Sequence, residues 1–211
     1  MKLNELQKKT EKLSIITKEI LKTFEKNENA LNYNIKYWLK NGSLITLKNG
    51  VYVFSNKYKN ERNKDEFLEY IAGQLTSPSY LSLEYVMAKY QLLSEPVNAI
   101  TSITCKTTRS YKNKLGAFRY YTVSKDLFCG YELIGENNLP AMIATKPKAV
   151  FDYLYLRFIK NLPVNENEIS ELRINWENLS SKEFKTIESY AALAKSKKVY
   201  EAIAIIKNIY Y

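Results

Sequence analysis

Apolar residues recur at helical spacing early in the chain and then give way to short β-rich runs. Over 18–24, Ile20, Leu21 and Phe24 mark one face of a short helix. Thr17 precedes it and can accept a hydrogen bond from a free N–H of the first turn. The polar run 25–29 interrupts the pattern. A second helix over about 30–40 places Leu31, Ile35, Trp38 and Leu39 on one side. Its other side carries Asn32, Tyr33, Lys36, Tyr37 and Lys40, and Gly42 suits the left-handed residue that ends a helix.

Two β-rich runs follow, 44–47 and 51–54, joined by Lys48-Asn49-Gly50. Asn-Gly between such runs is a strong hairpin signal, because both residues accept positive φ. Lys48 and Asn49 then sit at or beside the tip. Leu3, Leu6 and Leu13 predict an earlier helix over about 3–13, packed behind the other two. Three helices and a β-hairpin in this order predict a winged helix-turn-helix unit over 1–58. Its second helix would enter the major groove, with Asn32, Tyr33 and Lys36 at base edges. Lys40, Lys48 and Asn49 would meet phosphates, and Tyr37 lies on the same face. Lys8, Lys9 and Lys12 face either the DNA backbone or water. The plainer alternative is a small helical subdomain with a surface hairpin.

The polar stretch 56–64 reads as a linker with a boundary near residue 60, leaving 59–211 as a larger mixed α/β domain. In that domain Asp65 is expected to cap a helix to about Leu75, and Ser82 a helix over 83–91 that follows a strand-like fragment. Residues 99–105, 117–123 and 139–144 have strand character, around a turn-prone segment at 110–116. Pro147 suits the first turn of a helix to about Lys160. Two more helices, over 181–194 and 197–209, complete the chain. Ala192, Leu193, Val199, Ala202, Ile203 and Ile206 form their expected buried seam. The predicted class is α+β, with a small sheet and C-terminal helices in the second domain.

Composition sharpens this picture. The chain of 211 residues is 45% hydrophobic, which is compatible with a packed core. Its formal net charge is +10, with +7 of that in residues 1–60 and +3 in the remainder. A basic head favours a polyanionic partner. A second basic stretch holds Lys106, Arg109, Lys112, Lys114 and Arg119, with no acid between Glu95 and Asp126. It reads as a nucleic-acid surface, a face for an acidic protein, or an ordinary solvated hairpin.

The chain has no histidine, so histidine triads and the commonest metal ligand are excluded. Cys105 and Cys129 lack any CxxC spacing and read as reduced thiols of a cytoplasmic protein. No apolar run approaches a membrane span, and the first dozen residues lack the apolar core of a secretory signal. Glu84, Asp126 and Asp152 are mid-chain carboxylates without metal-ligand spacing, which argues against an enzyme. No cofactor is expected.

Four stretches together resemble the AbiEi-type antitoxins of bacterial abortive-infection and type IV toxin–antitoxin systems. They are GSLITLKNGVYVF (42–54), SYLSLEYVMAKYQLL (79–93), MIATKPKAVFDYLY (142–155), and ISELRINWENLSSKEF (169–184) followed by SKKVYEAI (196–203). Their order along the chain is more specific than any one of them. Two positions depart from the family pattern: Pro147, where Glu is common, and Gln91, where a small corner residue is usual. The resemblance implies a winged N-terminal domain that represses its own operon at inverted repeats, which would accommodate a dimer on DNA. It also implies a C-terminal domain that counters a nucleotidyltransferase-like toxin, directly or functionally. Two alternatives stand beside this: a direct toxin-binding neutraliser whose DNA contact is secondary, and a general winged-helix regulator.

Overall fold

A computed structural model describes residues 2–135, 139–159 and 163–211. The fold is α+β. The first unit begins with α1 (Leu3–Lys9), β1 (Ile16–Thr17), α2 (Lys18–Phe24) and α3 (Glu28–Lys40), and continues with β2 (Leu44–Lys48) and β3 (Val51–Phe54). The three strands form one antiparallel sheet in the order β1-β3-β2.

Local chemistry accounts for the helix boundaries. The Thr17 hydroxyl accepts from the Ile20 N–H at 3.3 Å, as expected. Asn27 rather than a later residue opens α3, its side chain accepting from the Ala30 N–H at 3.1 Å. The first helix ends sooner than its leucine spacing suggests: the Thr10 hydroxyl turns back onto the Leu6 carbonyl at 2.8 Å, and Leu13 is left exposed. Leu6, Ile16, Leu21, Leu31, Ile35 and Trp38 pack against Leu44, Tyr52 and Phe54 as a small core.

The segment expected as a linker folds instead as α4 (Ser55–Asn60). The Ser55 hydroxyl donates to the Gly42 carbonyl at 2.5 Å, and this ties the segment to the end of α3. Next comes α5 (Lys64–Leu75), capped by Asn63 rather than Asp65. Then come β4 (Ser79–Leu81), α6 (Leu83–Lys89), β5 (Ala99–Thr104), β6 (Arg109–Asn113), β7 (Gly116–Thr122), β8 (Tyr131–Ile134) and β9 (Ala141–Ala144). The chain closes with α7 (Lys146–Phe158), α8 (Glu166–Ser170), α9 (Ser181–Ala194) and α10 (Lys197–Tyr210). The expected end of α7 at Lys160 lies outside the described residues.

The second sheet has six strands, ordered β6-β7-β5-β4-β9-β8, and is larger than the small sheet expected. Pairs β5–β7 and β4–β9 are parallel; the others are antiparallel. Every residue of β4 and all but the first of β5 are buried, so the middle of the sheet is covered on both faces. Two of its strands were not legible as such: β6 occupies the segment read as a turn, and β8 has only four residues.

Ser82 sits at the start of α6 but makes no capping bond, because its hydroxyl serves Asp152 instead. Gln91, at the position where the resemblance leads one to expect a small corner residue, has φ 58°. Pro147 lies in the first turn of α7, as expected. The seam between α9 and α10 is shifted by one residue from its expected start. Ala191 is buried, whereas Ala192 and Leu193 are exposed; Val199, Ala202, Ile203 and Ile206 are buried as read.

The β2–β3 hairpin joins the two units. Leu44, Tyr52 and Phe54 point into the small core, while Leu47 and Val53, flanked by Ile45 and Val51, belong to the large one. The alternation of a β-strand thus gives the hairpin two apolar faces, both covered. A register shift between Thr46 and Lys48 accommodates the turn. Gly50 has φ 72°, while Asn49 is not left-handed, so only one of the two turn residues uses the expected conformation.

Candidate nucleic-acid interface

The outer face of α3 is open. Asn32, Tyr33, Lys36, Tyr37 and Lys40 are all exposed, Tyr33 at 71% and Tyr37 at 55%, while Leu31, Ile35 and Trp38 anchor the other side. Two exposed aromatic rings on one helix leave apolar surface in water unless something covers them.

Lysines of the head are not equally available. Lys18 and Lys22 flank Glu28 at 3.4 and 3.6 Å. The Lys22 charge, then the hydrogen bond from Lys18, hold the Glu28 carboxyl below its ordinary value. Among the described residues, no ion pair involves Lys36 or Lys40. Their charges are therefore free to meet an external anion on the same face as the exposed aromatic rings.

The hairpin tip differs from expectation. Asn49 is exposed, but Lys48 is half-buried and turned toward the second unit. Its ammonium donates to the Leu75 carbonyl at 2.7 Å and lies 5.9 Å from the centre of the Tyr111 ring. Beside it, the Asn113 side-chain amide donates to the Leu47 carbonyl at 3.0 Å. These bonds satisfy backbone groups that the dry contact would otherwise leave unpaired. Burial pushes the Tyr111 phenol up, but the neighbouring Arg109 and Thr76 side chains and the nearby Lys48 charge leave it below its ordinary value.

The two candidate surfaces read from the sequence meet here in part. A groove of about 570 Å³ runs between them, lined among others by Leu39, Thr46, Asn49, Lys112 and Lys114. Lys106, Arg109 and Arg119 are also exposed. Arg109 folds back onto the Thr107 carbonyl at 3.1 Å, and Arg119 lines a separate cleft.

The mid-chain carboxylates do not converge. Asp152 is fully buried and paired with the equally buried Lys148 one helical turn away. It also accepts from the Ser82 hydroxyl at 2.7 Å and the Tyr80 hydroxyl at 2.9 Å. Burial pushes the Asp152 carboxyl up, against the pull of the Lys148 charge and these hydrogen bonds. The Lys148 ammonium lies between the Phe151, Tyr190 and Tyr80 rings, 4.9 to 5.7 Å from their centres. Sequence reading passed over Lys148, although Lys and Asp four apart on a helix signal such a pair. Asp126 is exposed, and Glu84 lies in the cleft shared with Arg119. Among the described residues, no group of three or more histidine, cysteine or acidic residues is placed to hold a metal, and both cysteines are free. No described helix is long and apolar enough to cross a membrane.

Comparison with models of known protein families and with curated proteins finds no match.

Proposed function

We propose that this chain binds duplex DNA through the outer face of α3 and serves as a DNA-binding antitoxin and autorepressor in a toxin–antitoxin or abortive-infection system. The observation that carries the DNA reading is that face itself: Asn32, Tyr33, Lys36, Tyr37 and Lys40, all exposed, on a helix of 13 residues whose other side is anchored. A helix of that length spans about 20 Å and fits the major groove. In this reading α2 and α3 form the helix-turn-helix and the β2–β3 hairpin is the wing.

The roles are divided as follows. Asn32, Tyr33 and Lys36 reach base edges, and Lys40 takes a phosphate. Asn49 with Lys112 and Lys114 extends the polar and basic surface beyond the helix. Lys48 serves mainly to mount the wing. The antitoxin assignment rests on the four-stretch resemblance, with a nucleotidyltransferase-like toxin as the second partner and inverted repeats as the operator. A gel shift on the DNA upstream of the chain's own gene tests it. Retention of that duplex at concentrations that leave a scrambled duplex free is expected; equal retention of both would contradict operator recognition.

A second reading, direct contact with the toxin, is favoured by one observation. Leu193 on α9 and Tyr200 and Ile209 on α10 are large, apolar and exposed. Co-purification of the full chain with the product of the neighbouring gene, abolished by Tyr200→Glu, would support it. Failure of the parent chain to retain that product would remove it.

A further inference from the structure

A cleft of about 770 Å³ opens where β5 and β7 meet the start of α6, the end of α7 and the crossing segments 93–98 and 171–173. Its volume lies within the range of small-molecule sites, roughly 300–1,000 Å³. Its walls alternate in charge: Arg119, Arg157 and Arg173 stand among Glu84, Glu95 and Glu171. Neither the α3 surface nor the buried Lys148–Asp152 pair accounts for it.

Three features distinguish it from a solvated dent. First, one carboxylate oxygen of Glu84 is shielded from solvent and has no hydrogen-bond partner. Such an unpaired acceptor costs about 1–3 kcal/mol or more, a cost that a donor reaching the carboxylate from the cleft would remove. Second, among the described residues no ion pair involves Arg119 or Arg157, and Arg173 has only a loose, exposed contact with Glu95 at 3.5 Å. Guanidinium groups match phosphate oxygens with paired N–H donors. Third, one wall residue and the residue preceding another have left-handed backbones without being glycine: Arg173 at φ 50°, and Leu83 at φ 61° directly before Glu84. That conformation costs about 1–3 kcal/mol and persists only where the surroundings impose it.

Tyr153 supplies an aromatic wall. Burial raises its phenol, the Glu84 charge raises it further and the Arg157 charge lowers it, so a carboxylate and a guanidinium both bear on this one ring. A ligand that satisfies the set needs an N–H edge, a flat face and an anionic tail.

We propose that the cleft binds a nucleoside phosphate, with the N–H edge of the base donating to Glu84, the base beside Tyr153, and the phosphate held by Arg157 and Arg119. A bare anion would leave Glu84 unpaired. The proposal does not depend on DNA binding by α3.

The test is isothermal titration calorimetry of the full chain with ATP, GTP, CTP and UTP, and with inorganic tripolyphosphate as the anion control. At least one nucleotide should bind saturably and more tightly than tripolyphosphate. Arg157→Ala should weaken it by about tenfold, or 1.4 kcal/mol. Arg157 is exposed, so its removal disturbs no core. Glu84→Gln should weaken the nucleotide while leaving tripolyphosphate unchanged. Absence of saturable heat with all four nucleotides would overturn the proposal. So would tripolyphosphate binding as tightly as the best nucleotide, or nucleotide binding indifferent to both substitutions.

Discussion

The ammonium of Lys48 lies 2.7 Å from the carbonyl oxygen of Leu75. One residue is at the tip of the β-hairpin in the basic head, and the other ends α5 in the second unit. The bond closes a contact in which Leu47 and Val53 from the hairpin enter the larger core. The hairpin is therefore a mount between two units, and a lysine with a wing's usual sequence position performs a structural task.

Lys48→Ala should accordingly act on stability before it acts on DNA. Loss of one charge-assisted bond and its aromatic contact should cost about 1–2 kcal/mol, seen as a melting temperature lower by roughly 2–8 °C in a chain of this size. The salt dependence of DNA binding should change less than in Lys40→Ala. A melting curve that overlays the parent's, with a flattened salt slope, would reassign Lys48 to phosphate.

The buried Lys148–Asp152 pair carries a sharper expectation. Asp152→Ala leaves the Lys148 ammonium without its counter-charge and removes the acceptor for Tyr80 and Ser82. A loss of about 3–5 kcal/mol in urea unfolding is expected. Lys148→Met combined with Asp152→Ala should recover part of it, because no charge is then stranded. A single substitution that costs under about 1 kcal/mol would show the pair to be solvated.

Glu183 gives a pH signature. Burial raises its carboxyl, but the Ser180 backbone N–H and hydroxyl, then Lys146, more than offset this and hold it below its ordinary value. A carboxyl lowered by folding stabilises the fold above its unfolded pKa, and that contribution fades as pH falls through the folded value. Glu183→Gln keeps the geometry of the capping box at the start of α9 but loses the charge. The gap in stability between parent and variant should be present at neutral pH and shrink below about pH 4. A gap of equal size at both ends of a pH series of thermal melts would contradict it.

Much of the head was legible because its signals are local. Thr17, the apolar stripe of α3 and the Asn-Gly turn each act over a few residues, and α2, α3 and the hairpin appear near where their patterns placed them, with α3 opening earlier at Glu28 and α1 ending earlier at Lys9. The second unit was legible in outline only. Its seam between α9 and α10 was misjudged at Ala192 and Leu193, because a helical stripe read without partners leaves its start free by a residue. The strand at 109–113 was hidden because its stability comes from pairing with β7, and Ser, Lys and Asn in isolation speak for a turn. The fate of Lys48 depends on a carbonyl 27 residues away, and no local pattern carries that. A hint was present: both faces of the hairpin, Leu44 and Tyr52 on one and Leu47 and Val53 on the other, are apolar, whereas a wing in water needs only one.

The account turns on the outer face of α3, and fluorescence anisotropy with the chain's own upstream duplex over a series of salt concentrations tests it most directly. Lys36→Ala should weaken binding by about 1–3 kcal/mol and narrow the difference between that duplex and a scrambled one. Lys40→Ala should weaken both duplexes alike and reduce the salt slope by roughly one unit. If both variants bind with the parent's affinity, specificity and slope, α3 is not the DNA-reading element and the central claim fails.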